Sequence, residues 1–137
     1  SGTNICFVDA AWNATTRGGG FGCIFKDPCN NNILHQSSTN RCFVGSAFIA
    51  EAIAVKTGLL KAITLGLRTL SVWSDSQSLI NILNTKKKST EAQGILFDIE
   101  HLSSCFASIS FHHVPRLNNT DANALAKLGL LNLVNSV

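Results

Sequence analysis

The sequence predicts an α/β domain in which helices pack on the faces of a mixed β-sheet. Three observations predict it. The first 41 residues read as strands separated by strong turn chemistry. From residue 46 apolar side chains recur at helical spacing, and after that short apolar strands alternate with helical stretches. A meander followed by α-β-α-β-α needs a sheet with helices covering it. The 137 residues fit a single domain spanning 1–137, with no internal repeat, low-complexity tract or linker.

Ile5 to Trp12 alternates with the two-residue period of a strand, which places Ile5, Phe7 and Asp9 on one face. Asn13 to Gly20 is a turn region, and Gly20 to Lys26 a second strand. Asp27-Pro-Cys-Asn-Asn-Asn reverses the chain, because Asn and Asp tolerate left-handed backbone and Pro fixes its own φ. Ile33 to about Arg41 completes the meander. From Ser46 to about Ile63, Phe48, Ala52, Val55, Leu59 and Ala62 form the apolar stripe of a helix, and Gly66 marks its end. Leu70 to Ser74 is a short strand and Ser76 to Asn84 a short helix. Thr90 to Ser104 carries Ile95, Ile99 and Leu102 at helical spacing. Phe106 to Val114 is a strand stopped by Pro115, and a last helix runs from about Asp121 to Asn132.

Hydrophobic residues make up 45% of the chain and charged residues 14%, which excludes a disordered segment. No apolar run approaches the ~20 residues that span a bilayer, and the opening residues lack the basic and apolar stretches of a secretory signal. No membrane partner is expected, and the domain is expected to be a monomer. Five cysteines, Cys6, Cys23, Cys29, Cys42 and Cys105, are odd in number and show no CxxC spacing. That fits a reduced, intracellular protein better than a disulfide framework. Cys6, Cys23 and Cys105 lie in apolar surroundings and are expected in the core. The net charge of +3 hints at a polyanionic partner. Lys86-Lys87-Lys88 is the one basic run, either a solvated loop or a phosphate-contacting edge.

Three of the eight acids stand where acids are costly. Asp9 lies in Ile-Cys-Phe-Val-Asp-Ala-Ala-Trp, Glu51 in Ala-Phe-Ile-Ala-Glu-Ala-Ile-Ala-Val, and Asp75 closes Leu-Ser-Val-Trp-Ser-Asp. A carboxylate taken out of water protonates, pairs or binds a metal. No Lys or Arg adjoins any of the three in sequence. Their convergence around divalent cations explains all three at once. Asp9 falls on the first strand, Glu51 in the first turns of the first helix, and Asp75 past the carboxyl end of the fourth strand, where α/β sheets collect ligands.

Val8-Asp-Ala-Ala-Trp12, Gly20-Phe-Gly22, Ala50-Glu51, Trp73-Ser-Asp-Ser-Gln77, His113-Val-Pro-Arg116 and Ala124-Leu-Ala-Lys127 stand in one order along essentially the whole chain. In that order and approximate spacing they resemble the type-1 ribonuclease H family, especially the plant RNase H-like domain related to retrotransposon reverse-transcriptase tails. The resemblance implies an RNase H-like fold, a five-stranded mixed sheet of order 3-2-1-4-5 with its first three strands antiparallel. It also implies a divalent-metal-dependent endonuclease that cuts the RNA strand of RNA–DNA hybrids. Its site would be four carboxylates holding two Mg²⁺ ions, for which Mn²⁺ may substitute. Carried onto this chain, Asp9 would bridge both ions and Glu51 and Asp75 would complete the shell of one. In that chemistry one ion activates water and the other stabilises the leaving oxygen.

The fourth position departs from the pattern, because the family's last Asp aligns with Asn123. Asp121 lies ~200° away around a helix and reads as an acid at a helix amino end. Asn123 offers a cation a carbonyl oxygen and no charge. The link from Val114 to Asn119 is too short for the His-bearing loop of bacterial members, and Arg116 occupies it, as in plant relatives, where a guanidinium can clamp a phosphate. Gln77 matches the family position that contacts nucleic acid in the minor groove. Ser46 is the nearest polar group ahead of the helical Glu, and Lys86, Lys87 and Lys88 are all that remains of the basic extension of bacterial members. Two other readings stand beside the nuclease: a nucleic-acid-binding module whose catalysis is weakened or lost through Asn123, and a protein-interaction scaffold.

Overall fold

In the computed structural model, which describes residues 2–135, three strands come first: β1 (Asn4–Trp12), β2 (Gly19–Lys26) and β3 (Ile33–Arg41). They are followed by α1 (Ala47–Thr64), β4 (Thr69–Ser74), α2 (Gln77–Thr85), α3 (Gln93–Ser103), β5 (Ser108–His113), a 3₁₀ turn (Arg116–Asn118) and α4 (Thr120–Asn135). The strands form one sheet in the order β3-β2-β1-β4-β5, so the family's expected order is the observed one. β1 and β2 pair antiparallel, as do β2 and β3, while β4 runs parallel to β1 and β5 parallel to β4. No helix among the described residues is long and apolar enough to cross a membrane.

The two-residue period of β1 sorts its side chains between two helices. Cys6 and Val8 face α1, where a side chain at Gly58 would press on Val8 Cγ1 at 3.0 Å and Cys6 Sγ at 3.5 Å. Ala52, Val55, Leu59 and Ala62, the stripe expected for α1, are all buried against this face. Gly66, at φ +76°, lets the chain leave α1, its N–H donating to the Ile63 carbonyl at 3.0 Å.

The opposite face carries α4, and it lies there because β2 and α4 offer glycines where they cross. A Cβ on Gly20 would overlap the Ala126 carbonyl, one on Gly22 the Ala122 carbonyl, and one on Gly129 the Thr39 carbonyl of β3. Backbone therefore lies on backbone. Ser38 Oγ donates to the Leu125 carbonyl at 2.7 Å, and Asn40 Nδ2 to that of Gly129 at 3.0 Å.

The structure departs from expectation at α3, at β5, at the end of α4, which runs to Asn135 and not Asn132, and at Cys105. α3 begins at Gln93 and not at Thr90, because Glu91 is drawn to Ser46 and residue 94 is a glycine near the start. β5 is shorter than Phe106–Val114, with Phe106 buried as core ahead of the strand. Cys105 is exposed in the turn after α3, so only Cys6 and Cys23 of the expected core thiols are buried. Next to it in the turn Phe106 is buried and Ala107 exposed, so periodicity no longer assigns sides there.

Gly22→Ala should lower stability by roughly 1–3 kcal/mol, the usual cost of overpacking. Urea unfolding should show the midpoint falling, with little change for Gly94→Ala, where a Cβ meets nothing within 4 Å.

Candidate active site

Register alone brings two of the acids side by side. The β1–β4 pairing ends at Phe7 opposite Trp73. Asp9 and Asp75 each lie two residues beyond that last pair, on the same face, where the two strands diverge. Asp9 is 2% exposed. Its Oδ1 accepts from the Ala10 N–H and its Oδ2 from Asn123 Nδ2, each at 2.9 Å. Asp75 follows a tight exit from β4, in which Ser74 Oγ accepts from the Ser76 N–H at 3.1 Å, and its side chain is 4% exposed. Glu51 reaches in from α1. Ser46 fixes the start of that helix by accepting from the Ile49 N–H at 3.1 Å.

One carboxylate oxygen from each of Asp9, Glu51 and Asp75 lies within 4.8 Å of the others. Such crowding is costly in a partly dry site. Burial pushes the Glu51 carboxyl up from 4.5 to about 9, with the nearby charges of Asp9 and Asp75 adding to it. Burial also raises Asp9, and Asp75 raises it further, while the hydrogen bonds from Asn123 and Ala10 pull it back. Glu51 Oε1 is buried without a hydrogen-bond partner. Among the described residues neither Asp9 nor Glu51 has an ion-pair partner. An all-oxygen donor set, a surplus of negative charge and a buried, unpartnered carboxylate oxygen together fit a hard divalent cation such as Mg²⁺ or Mn²⁺.

Asn123 lies on α4 against Asp9, and its amide donates a hydrogen bond to that carboxylate without adding a charge. Asp121, two residues before it, is exposed. Arg116 lies with its Nε 3.6 Å from Asp75 Oδ2 and its side chain 84% exposed. Sequence adjacency concealed this pairing, because the 3₁₀ turn that carries Arg116 meets Asp75 only in the folded sheet.

Sequence reading missed Asn119, which is 2% exposed. Its Nδ2 donates to the Val8 carbonyl at 2.9 Å, just where β1 has lost β4, and its own backbone carbonyl accepts from the Asn123 N–H at 3.0 Å. One residue thus ties the start of α4 to β1 beside Asp9. Its only sequence signal is its place one helical turn before Asn123.

The other expected residues are dispersed. Gln77 opens α2, exposed and two residues past Asp75. The Ser46 hydroxyl is engaged twice, accepting from Ile49 and donating to Glu91 Oε2 at 2.8 Å. Lys86, Lys87 and Lys88 line a cavity of about 770 Å³ between α2, α3 and β5, which none of the three acids lines. His112 stacks on Trp73 at 4.5 Å and bonds Ser110 Oγ at 2.7 Å, away from the carboxylates.

A family model described as reverse transcriptase-like matches residues 7–129. Among solved structures, RNase H1 of the archaeon Halobacterium salinarum superposes with a TM-score of 0.88 at 21% identity, covering 96% of this chain and 99% of that one. The N-terminal RNase H domain of a Mycobacterium tuberculosis protein gives 0.84 at 22% identity, covering 93% and 98%. LC11-RNase H1, solved in complex with an RNA/DNA hybrid, gives 0.85 at 20% identity, covering 96% and 99%. These likenesses establish the fold. No curated protein matches the chain.

The raised Glu51 pKa makes stability depend on pH. Between 4.5 and about 9 the folded protein holds a proton that the unfolded chain has released, so metal-free stability falls as pH rises through that window. The fall should be on the order of a few kcal/mol. Melting curves in EDTA should show it, and Mg²⁺ or Mn²⁺ should reverse it most strongly at the alkaline end.

Proposed function

Since the chain belongs to the reverse transcriptase-like family and has the fold of ribonuclease H, we propose that it is a divalent-metal-dependent endonuclease cleaving the RNA strand of RNA–DNA hybrids. The observation that carries this is the convergence of Asp9, Glu51 and Asp75 within 4.8 Å, with no ion-pair partner for the first two among the described residues. An RNA/DNA hybrid is what LC11-RNase H1, a protein of the same fold, was found bound to.

Asp9, Glu51 and Asp75 would hold the ions. When bound, these would supply the positive charge that generates a nucleophile from water and stabilises the leaving oxygen. The protein's own residues set the conditions. Asn123 and the Ala10 N–H fix the Asp9 carboxylate in one orientation. Glu51, whose carboxyl burial pushes up to about 9, would be held as the deprotonated ligand by a bound cation. Arg116, exposed and only 3.6 Å from Asp75, can exchange that carboxylate for a phosphate of the substrate strand. Gln77 lies two residues from Asp75, within reach of the minor-groove edge of the same duplex. Lys86, Lys87 and Lys88 add a basic margin for the phosphate backbone further along, which makes binding salt-sensitive.

Asn123 favours a second reading, a hybrid-binding module with weakened or lost turnover. Three carboxylates hold a second ion less firmly than four, and the amide presents its N–H₂ to Asp9.

A labelled hybrid with Mg²⁺ or Mn²⁺ separates the two. The nuclease reading expects cleavage of the RNA strand that disappears in Asp9→Asn. Asn123→Asp should then raise the rate, on the order of tenfold, the equivalent of about 1.4 kcal/mol in the barrier. Hybrid binding without any cleavage, followed by cleavage in Asn123→Asp, would establish the second reading in its place.

A further inference from the structure

Phe43 is out of place by every internal criterion. Its ring is 90% exposed, so packing does not hold it, and its φ of +57° is one that bulky L-residues avoid. Glycine or asparagine would suit the backbone better and lose no burial. The segment is nonetheless braced. The Val44 N–H donates to the Arg17 carbonyl at 2.7 Å, Trp12 Nε1 to the Val44 carbonyl at 2.9 Å, and an Arg17 guanidinium nitrogen to the Gly45 carbonyl at 2.9 Å. Arg17 is itself left-handed, at φ +62°, and exposed. Arg17 thus clamps the two residues that follow Phe43, and the Phe43 ring and Arg17 are both open to solvent. Strain retained at a rigid, exposed position is the mark of a binding contact.

The loop also lies at the right place. It crosses the end of β1 that carries Asp9 and leads through Ser46 into α1. Three residues from Phe43 to Ser46 span at most ~11 Å. The five from Ser46 to Glu51 rise ~7.5 Å along the helix. Phe43 is therefore within about 18 Å of Glu51, or about five nucleotides at ~3.4 Å each. A ring can stack only on a base whose face is free, and inside a duplex both faces are taken.

We infer that Phe43 and Arg17 form a contact for unpaired nucleotides adjoining the hybrid, so that the preferred substrate is a hybrid with a single-stranded extension a few nucleotides from the cleavage site. Phe43 stacks on an unpaired base, and the free N–H groups of Arg17 take a neighbouring phosphate. This rests on the nucleic-acid reading of the carboxylate site and adds the substrate class to it.

Fluorescence anisotropy with Ca²⁺ in place of Mg²⁺ tests it on a blunt hybrid and on four hybrids extended by five nucleotides, RNA or DNA, at the 3′ or 5′ end. The protein should bind at least one extended hybrid roughly 5- to 150-fold more tightly than the blunt one, the range for one stacked base. Phe43→Asn, which suits the left-handed backbone and removes the ring, should bring that ratio to one without lowering the melting temperature. Phe43→Trp should keep it. No preference for any extension, or a preference that persists in Phe43→Asn, overturns the inference and leaves the hybrid reading standing. No binding to any hybrid by the unaltered protein overturns both.

Discussion

Mutual repulsion among three crowded carboxylates is the constraint that the rest of the molecule answers to. Left to themselves these groups would separate or protonate, and burial with the charges of Asp9 and Asp75 pushes the Glu51 carboxyl up to about 9. The scaffold keeps them together by register. Asp9 and Asp75 stand abreast because β1 and β4 run parallel, and each acid lies the same distance past their last pair. Glu51 is delivered by a helix whose start is fixed by Ser46 and whose buried face is the core of the domain.

Two asparagines beside β1 complete that frame. Asn119 fills the hydrogen-bonding gap left at Val8 when β4 diverges, and Asn123, one turn on, stabilises the Asp9 carboxylate. Both depend on α4 lying against β2 with backbone on backbone, which the glycines at 20, 22 and 129 allow. Small residues on the neighbouring strand and on α4 thus set the hydrogen bond that holds the Asp9 carboxylate, which lies opposite Gly22.

Positive charge is arranged sparingly around this centre. Arg116 leans on Asp75 from an exposed turn, Arg17 clamps the loop ahead of α1, and the three lysines lie apart at α2. None neutralises Asp9 or Glu51.

Periodicity and turn chemistry were enough to place the elements in order, because alternation in β1 and the stripe of α1 directly reflect which side is buried. The three costly acids were legible for the same reason, since each interrupts an apolar run. Legibility failed where burial is set by non-local partners: Cys105 turns outward, α3 starts late because Glu91 bonds Ser46, and Asn119 has nothing in its neighbourhood to mark it. The sequence by itself determined the element order and the acidic trio, both of which are local facts of residue type. Only the tertiary structure decided that Arg116 meets Asp75, that Asn123 donates to Asp9, and that Phe43 is strained and exposed. Those facts arise from contacts between segments far apart in the chain, and local pattern carries no record of them.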